Sequence, residues 1–248
     1  MFISIVTPIY NEEKNIFFFY KKIRKIIKKI KYIKKYEIIF GNNSSTDKSL
    51  EKIKKLICKD KNVKVVSQKK NYGKNLNLLS ALKVSSGDVI FILDVDCQDP
   101  PDILKKMLKI QKDSIGNVIY GYRTYENENL VMKFFRNFFY IFLNFFSNFK
   151  IVPNLAEYML ISNHTKSKIL RSKYSFPFLR MDIAFHNFKC SRTKYRRSNR
   201  KFGKSNYNFL KLLKILLIST ISCSYLGIKL RLFNKKKKVK IDWKNSIF

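Results

Sequence analysis

Asp94-Val95-Asp96-Cys97-Gln98-Asp99-Pro100-Pro101 follows the apolar run Val89-Ile90-Phe91-Ile92-Leu93 and is the stretch of this chain best suited to chemistry. A short β-branched run of that kind predicts a buried strand. On an extended backbone side chains alternate, so Asp94 and Asp96 share a face, and Gln98 joins them as the chain turns. Two carboxylates and an amide oxygen are hard donors that suit Mg²⁺ or Mn²⁺, with substrate phosphates filling the remaining positions. Such an ion stabilises charge developing on a departing diphosphate. Paired aspartates are common on solvated loops; the buried strand before this pair and the Gln-Asp-Pro-Pro after it set it apart.

The elements that must position this loop are readable upstream. Candidate strands are Ile3–Thr7, Glu37–Phe40, Val63–Ser67, Val89–Leu93 and Val118–Gly121. Between the first two, Ile16, Phe19, Ile23, Ile26, Ile27, Ile30 and Ile33 recur at helical spacing, with lysines on the other faces. Further helices are predicted over Lys48–Cys58, Asn75–Val84 and Ile103–Gln111, the last started by Pro100-Pro101. This alternation predicts an α/β fold with a largely parallel sheet. Ligands of such sheets bind beyond the carboxyl ends of the strands. Those ends are polar here: Pro8-Ile9-Tyr10-Asn11-Glu12-Glu13 after the first strand and Asn42-Asn43-Ser44-Ser45-Thr46-Asp47 after the second.

After about Tyr122 the alternation fades into aromatic and basic sequence that completes the same domain. Two apolar runs, Asn137–Phe149 and Ile215–Ile228, are shorter than the roughly 18 residues a bilayer span requires, so no transmembrane helix is predicted. Either could pack in the core or lie in a headgroup region; core packing is the expectation for the phenylalanine-rich run. One catalytic domain is expected over residues 1–233, with 209–233 as an interfacial amphipathic segment. The lysine run 235–238 and the polar residues after it read as a solvated or lipid-facing tail.

The 248 residues carry 52 Lys and Arg against 17 Asp and Glu, a formal charge of +35 that points to phosphates, nucleic acids or anionic headgroups as partners. Lys, Ile, Asn and Phe are abundant together, as AT-rich coding produces, which accounts for part of that excess. A nucleic-acid partner is not expected, because no binding motif is recognisable and the acidic loop would go unexplained. Cys58, Cys97, Cys190 and Cys223 have no paired spacing, which argues against a zinc site or disulfide framework and fits a reducing compartment. The N-terminus opens directly into strand sequence rather than a secretory signal.

The ordered set of motifs resembles family 2 glycosyltransferases of the GT-A fold, in the branch of dolichyl-phosphate mannose synthase and the bacterial undecaprenyl-phosphate sugar transferases. The matching residues are Ser4 to Glu13, Lys70-Asn71-Tyr72-Gly73-Lys74, Leu93 to Pro101, Gly121-Tyr122-Arg123, and Arg200-Lys201-Phe202-Gly203-Lys204-Ser205-Asn206-Tyr207. The metal loop and the Arg-x-x-Gly-x-Ser-x-Tyr element are the parts most particular to the lipid-phosphate branch.

The resemblance implies a Rossmann-like nucleotide-sugar-binding fold with a C-terminal helical, membrane-proximal part. The implied activity is inverting, metal-dependent transfer of a sugar from a UDP- or GDP-sugar to a polyprenyl phosphate. Pro8, Tyr10, Asn11, Glu12, Lys74 and Asp94 would line the nucleotide-sugar pocket, with Asn43 toward the base. Asp94, Asp96 and Gln98 would hold Mg²⁺ or Mn²⁺, and Arg123, Arg136, Arg200 and Ser205 would surround the acceptor phosphate. Asp94, Asp96, Arg123 and Arg200 would carry catalysis. A phosphate monoester is already ionised near neutral pH and needs no general base, so the absence of a histidine from every matched motif is no obstacle; His164 and His186 are expected to pack or face solvent. The implied location is cytoplasmic, peripheral on the inner face of an anionic membrane.

The sequence departs from the family pattern in three places. Asn42-Asn43-Ser44-Ser45 replaces Asp-Asp-Gly-Ser, Glu157 and Met159 replace an Asp and an Arg, and the two transmembrane helices of many bacterial relatives have no counterpart after the lysine run. The rival activity is transfer to a glycan hydroxyl in capsule or lipopolysaccharide assembly, with Glu157 or Asp182 as base.

Overall fold

The early strands are buried on both faces, which explains how the molecule layers. The computed structural model describes residues 1–113, 118–124, 130–151, 155–172, 176, 178–198, 209–229, 240–241 and 246–247. Strands β1 (Phe2–Ile9), β2 (Lys35–Asn42), β3 (Val63–Ser67), β4 (Val89–Ile92) and β5 (Val118–Thr124) lie where the sequence predicts them. Helices α1 (Ile16–Lys28), α2 (Ser49–Ile57), α3 (Lys74–Lys83) and α4 (Leu104–Asp113) follow the predicted order, α4 entered through a 3₁₀ turn at Pro101–Ile103. The first helix stops at Lys28, and Ile30 is buried from the turn beyond it.

Two strands were not legible: β6 (Leu155–Ser162) and β7 (Cys190–Arg196). They complete a seven-stranded sheet of order β3-β2-β1-β4-β6-β5-β7. β6 runs antiparallel to both neighbours, β4 and β5, while β5 and β7 pair in parallel. The remaining helices are α5 (Leu130–Phe146), α6 (Asn163–Arg171), α7 (Leu179–Phe185), α8 (Phe209–Cys223) and α9 (Tyr225–Lys229).

Period-two alternation sends Ile3, Ile5, Ile38, Phe40, Phe91 and Ile119 to one side of the sheet, against α1, α2 and α4. Val6, Ile39, Ile90, Ile92, Tyr120 and Met159 go to the other side, against α3, α6 and α7. Each such side chain contributes about 1.5–3 kcal/mol by leaving water, which makes these two faces the main source of stability. Met159, at the position where the family pattern has arginine, is fully buried here.

A third cluster joins Tyr140 and Leu143 of α5 to Ile151, Phe176, Met181 of α7 and Cys223 of α8. α5 therefore has one packed face. Its other face contradicts the core expectation for the phenylalanine-rich run: Phe134, Phe138, Ile141 and Phe145 stand 55 to 81% exposed. Among the described residues no helix is long and apolar enough to cross a membrane.

The C-terminal segment also differs from the expected solvated tail. Ile247 pairs antiparallel with Val65 of β3, and Ile241 bridges to Gln68. The run Lys235–Lys238 lies outside the described residues.

Candidate active site

Three loops at the carboxyl ends of β1, β2 and β4 form the rim, and each turns through a residue with left-handed backbone: Asn11 (φ 55°), Ser44 (φ 60°) and Cys97 (φ 53°). Left-handed conformations cost an L-residue about 1–2 kcal/mol, so their recurrence at one rim marks geometry held for use. Ser44 occupies the position where the family pattern has glycine, the residue that adopts this conformation without a Cβ clash.

Along the loop after β4 the alternation is as predicted: Asp94, Asp96 and Gln98 are half-buried at the rim, while Val95, Cys97 and Asp99 turn inward. The Lys74 ammonium, from the first turn of α3, lies 2.7 and 2.9 Å from the two oxygens of Asp94. Burial would raise the Asp94 pKa, but the adjacent Lys74 charge and hydrogen bond outweigh it and hold the carboxyl below its ordinary value. Lys74 also lies 3.8 Å from Glu157, whose other oxygen accepts the backbone N–H of Leu179 at the start of α7 (2.8 Å). Because β6 is antiparallel, its first residues reach the same rim as the last residues of β4.

The donor set fits a divalent cation. Asp94 already draws a cationic group between its two oxygens, and Asp96 and Gln98 share its face. The Gln98 side-chain oxygen accepts from Arg197 at 2.7 Å and keeps a second lone pair with which it could serve as third ligand. Among the described residues no group of three His, Cys, Asp or Glu gathers to hold a metal, so substrate phosphates and water would complete the coordination.

A second charged cluster lies on the other side of the loop. Asp99 is nearly fully buried and accepts from Arg123 Nη2 (2.9 Å) and from the Tyr195 hydroxyl (2.7 Å). Arg123 Nε also donates to the Tyr195 oxygen (2.9 Å), closing a triangle. Burial would lower the Arg123 pKa, yet Asp99 and Tyr195 outweigh it and raise it, so the guanidinium stays charged. Gly121 makes the triangle possible, because a Cβ there would overlap the rings of Tyr158 and Tyr195. Those rings pack edge to face at 5.0 Å, and the Tyr158 hydroxyl donates to the Pro100 carbonyl (2.6 Å).

The remaining predicted residues divide between pocket lining and support. Pro8 is buried and Tyr10 is 38% exposed at the rim. Asn11 bonds Thr46 across the first two loops, and Glu12 accepts from Asn15. Asn43 is buried; its amide donates to Asn71 (2.7 Å) and accepts from the Tyr72 N–H (2.9 Å), so in this state it holds the loop before α3. Arg200 and Ser205 lie outside the described residues, and of Arg136 only its place on α5 is described. Asp182, the rival base, is buried on α7, and the His186 ring packs edge-on to Phe185 at 5.2 Å. Asp99, Tyr195 and Arg197 are functional neighbours whose roles no motif of the sequence marks. The signal for Asp99 was present, since alternation sends it to the face opposite Asp94 and Asp96.

Comparison with known proteins agrees with this layout. Over 228 residues the chain is 28% identical to an uncharacterized glycosyltransferase, YkcC, of Bacillus subtilis (strain 168), covering 92% of this chain and 70% of that protein. It is 27% identical over 224 residues to the bactoprenol glucosyl transferase of Shigella phage SfX, covering 90% and 73%. Among solved structures it resembles a Pyrobaculum calidifontis mannosyltransferase in complex with GDP-Man and Mn²⁺, with TM-score 0.59 and 14% identity over 96% of this chain and 65% of that one. A Mycobacterium tuberculosis glucosyl-3-phosphoglycerate synthase in complex with Mn²⁺, UDP and phosphoglyceric acid gives TM-score 0.60 and 17% identity over 89% and 76%. These structural likenesses establish the GT-A fold. Residues 4–172, from the first strand through the acidic loop and beyond β6, match the profile of glycosyl transferase family 2, and the chain is a glycosyltransferase belonging to that family.

Proposed function

We propose that this enzyme transfers a sugar from a nucleotide-sugar to a polyprenyl phosphate at an anionic membrane surface. Asp94, Asp96 and Gln98 face the rim where a donor diphosphate would lie, and Lys74 supplies a further positive charge there. Asp94, Asp96 and Gln98 would hold a divalent cation, which would supply charge stabilisation for the departing nucleoside diphosphate. The acceptor phosphate oxygen attacks the anomeric carbon, the bond from that carbon to the diphosphate breaks, and configuration inverts. No proton has to leave the nucleophile, so Arg123, with Arg136, Arg200 and Ser205, acts by positioning and charge.

The observation that carries the lipid acceptor is the exposed row Phe134, Phe138, Ile141 and Phe145 on one face of α5. α5 packs on α8. Leu217 and Ile221 of α8 and Tyr225 and Leu226 of α9 are likewise exposed. Exposed aromatic and aliphatic side chains on adjoining helices, with Lys150, Lys214 and Lys229 exposed nearby, match the chemistry of a headgroup interface. The bactoprenol glucosyl transferases among the relatives support the same reading.

The test is an assay of UDP- and GDP-sugars with undecaprenyl phosphate, with and without Mn²⁺. Lipid-linked sugar should form only with metal. Flotation with vesicles should require anionic lipid, weaken with salt, and fall in a Phe138→Ser/Phe145→Ser double variant. Transfer to a glycan hydroxyl in place of the lipid phosphate would sink the acceptor reading.

A further inference from the structure

β3 is the edge strand of the sheet, and an edge exposes a row of N–H groups. In β3 and the two residues after it the outward N–H of Val63 is given to Asp60 O, and those of Val65, Ser67 and Lys69 are each taken by the C-terminal segment. Val65 N–H donates to Ile247 O (2.8 Å), Ser67 N–H to Ser246 Oγ (2.9 Å) and Lys69 N–H to Lys240 O (3.1 Å). Ile247 N–H returns a bond to Val65 O at 2.8 Å, and Lys240 N–H donates to the Tyr72 hydroxyl at 3.3 Å.

The contacts continue inward to the site. Tyr72 N–H donates to Asn43, the Asn43 amide donates to Asn71, and Asn71 also accepts from Gly73 N–H (2.9 Å). Gly73, at φ +88°, turns the chain directly into Lys74, which holds Asp94. Lys240 is thus joined to the acidic loop by hydrogen bonds and the covalent links through Tyr72 and Gly73–Lys74, while Ser246 and Ile247 fix the same segment on β3.

We propose that residues 240, 241, 246 and 247 act as an intramolecular clasp that positions the Asn71-Tyr72-Gly73 loop and thereby sets affinity for the nucleoside diphosphate. The inference rests on the donor reading above. The clasp works through backbone groups, so variants that remove those groups are the informative ones. Ile247→Pro removes the N–H given to Val65, and Tyr72→Phe removes the hydroxyl that accepts from Lys240. Lys240→Ala keeps the backbone bonds and serves as the control.

Binding of UDP and of GDP, each with Mn²⁺, is measured by calorimetry on the full chain, together with amide hydrogen exchange and turnover. Ile247→Pro should accelerate exchange at Val65, Ser67 and Lys69 and weaken binding of the preferred nucleotide about tenfold, the effect of losing one or two hydrogen bonds. Turnover at saturating donor should stay within about twofold of the parent, and Tyr72→Phe should move the same way by a smaller factor. Lys240→Ala should leave the dissociation constant unchanged. Faster exchange at the three amides with unaltered nucleotide affinity would overturn the proposal, as would unprotected amides there in the parent protein. Failure of the parent to bind either nucleotide would overturn the donor reading and the clasp's role together, whereas binding insensitive to Ile247→Pro overturns the clasp alone.

Discussion

Asp94 and Asp99 stand five residues apart on one loop, yet they face different partners. Asp94 is about a third exposed and is opposed by Lys74, itself 38% exposed. Asp99 is 5% exposed and is held by a forked guanidinium and a tyrosine hydroxyl, one on each carboxylate oxygen. A lysine ammonium on a flexible stem can leave one carboxylate for a phosphate; the Arg123–Asp99–Tyr195 triangle cannot open without stranding a buried charge. The loop therefore joins an exchangeable end to a fixed end, and the fixed end sets where the exchangeable one stands.

Substitutions at these residues test that contrast. The largest effect is expected from Asp96→Ala, which should cut metal-dependent sugar transfer by at least about a thousandfold while leaving the melting temperature near that of the parent. Asp99→Ala should do the reverse in kind, destabilising the fold by about 3–5 kcal/mol, read as a fall in melting temperature of roughly 10 °C. A normal melting curve for Asp99→Ala would dissolve the distinction. Lys74→Met removes the cation that competes for Asp94, so Mn²⁺ alone should bind a few-fold tighter while turnover falls about tenfold, a split readable by Mn²⁺ resonance titration and initial rates.

Acid should separate closed carboxylates from open ones. Burial pushes the Glu37 pKa up, but Lys64 at 2.7 Å, the Ser4 hydroxyl and the Ser86 N–H outweigh it and lower it. A lowered folded pKa gives stability present above the ordinary carboxylate range near about 4 and lost as pH falls through the folded value. Thermal melts should therefore hold steady from about pH 7 to 5 and drop below about 4, less steeply in Glu37→Gln. The smallest effect is expected from Ser44→Gly, which relieves a left-handed serine and should raise stability by up to about 1 kcal/mol in denaturant titration.

The donor half was legible because its strands are short, β-branched and separated by amphipathic helices, and because strand-end residues of a parallel sheet face one rim. The shared face of Asp94 and Asp96 followed from alternation after a buried strand, and Gln98 from the turn beyond it. The later half was harder for physical reasons. Leu155–Ser162 has a single β-branched residue, Ile161, among helix-favouring Leu, Ala, Glu and Met, so its composition does not announce a strand. Cys190–Arg196 does alternate, with Thr193 and Tyr195 inward and Arg192, Lys194 and Arg196 outward, but its charge hid the pattern. The Arg123–Asp99–Tyr195 triangle joins residues 72 and 24 positions apart, a separation that no local spacing encodes. The tail's return to β3 depends on unmet edge N–H groups, which only the sheet order reveals.

The place of β6 has a consequence in time. β4, which carries the acidic loop, finds its outer neighbour in β6 and not in β5, the strand made next. During synthesis the β4 edge therefore waits for dozens of residues, including the phenylalanine-rich α5, a delay of seconds at ordinary translation rates. Through that interval the nascent chain exposes an apolar strand edge beside an aromatic helix, so slowed elongation or a held chaperone over residues 93–162 would govern how much of this enzyme reaches its native sheet.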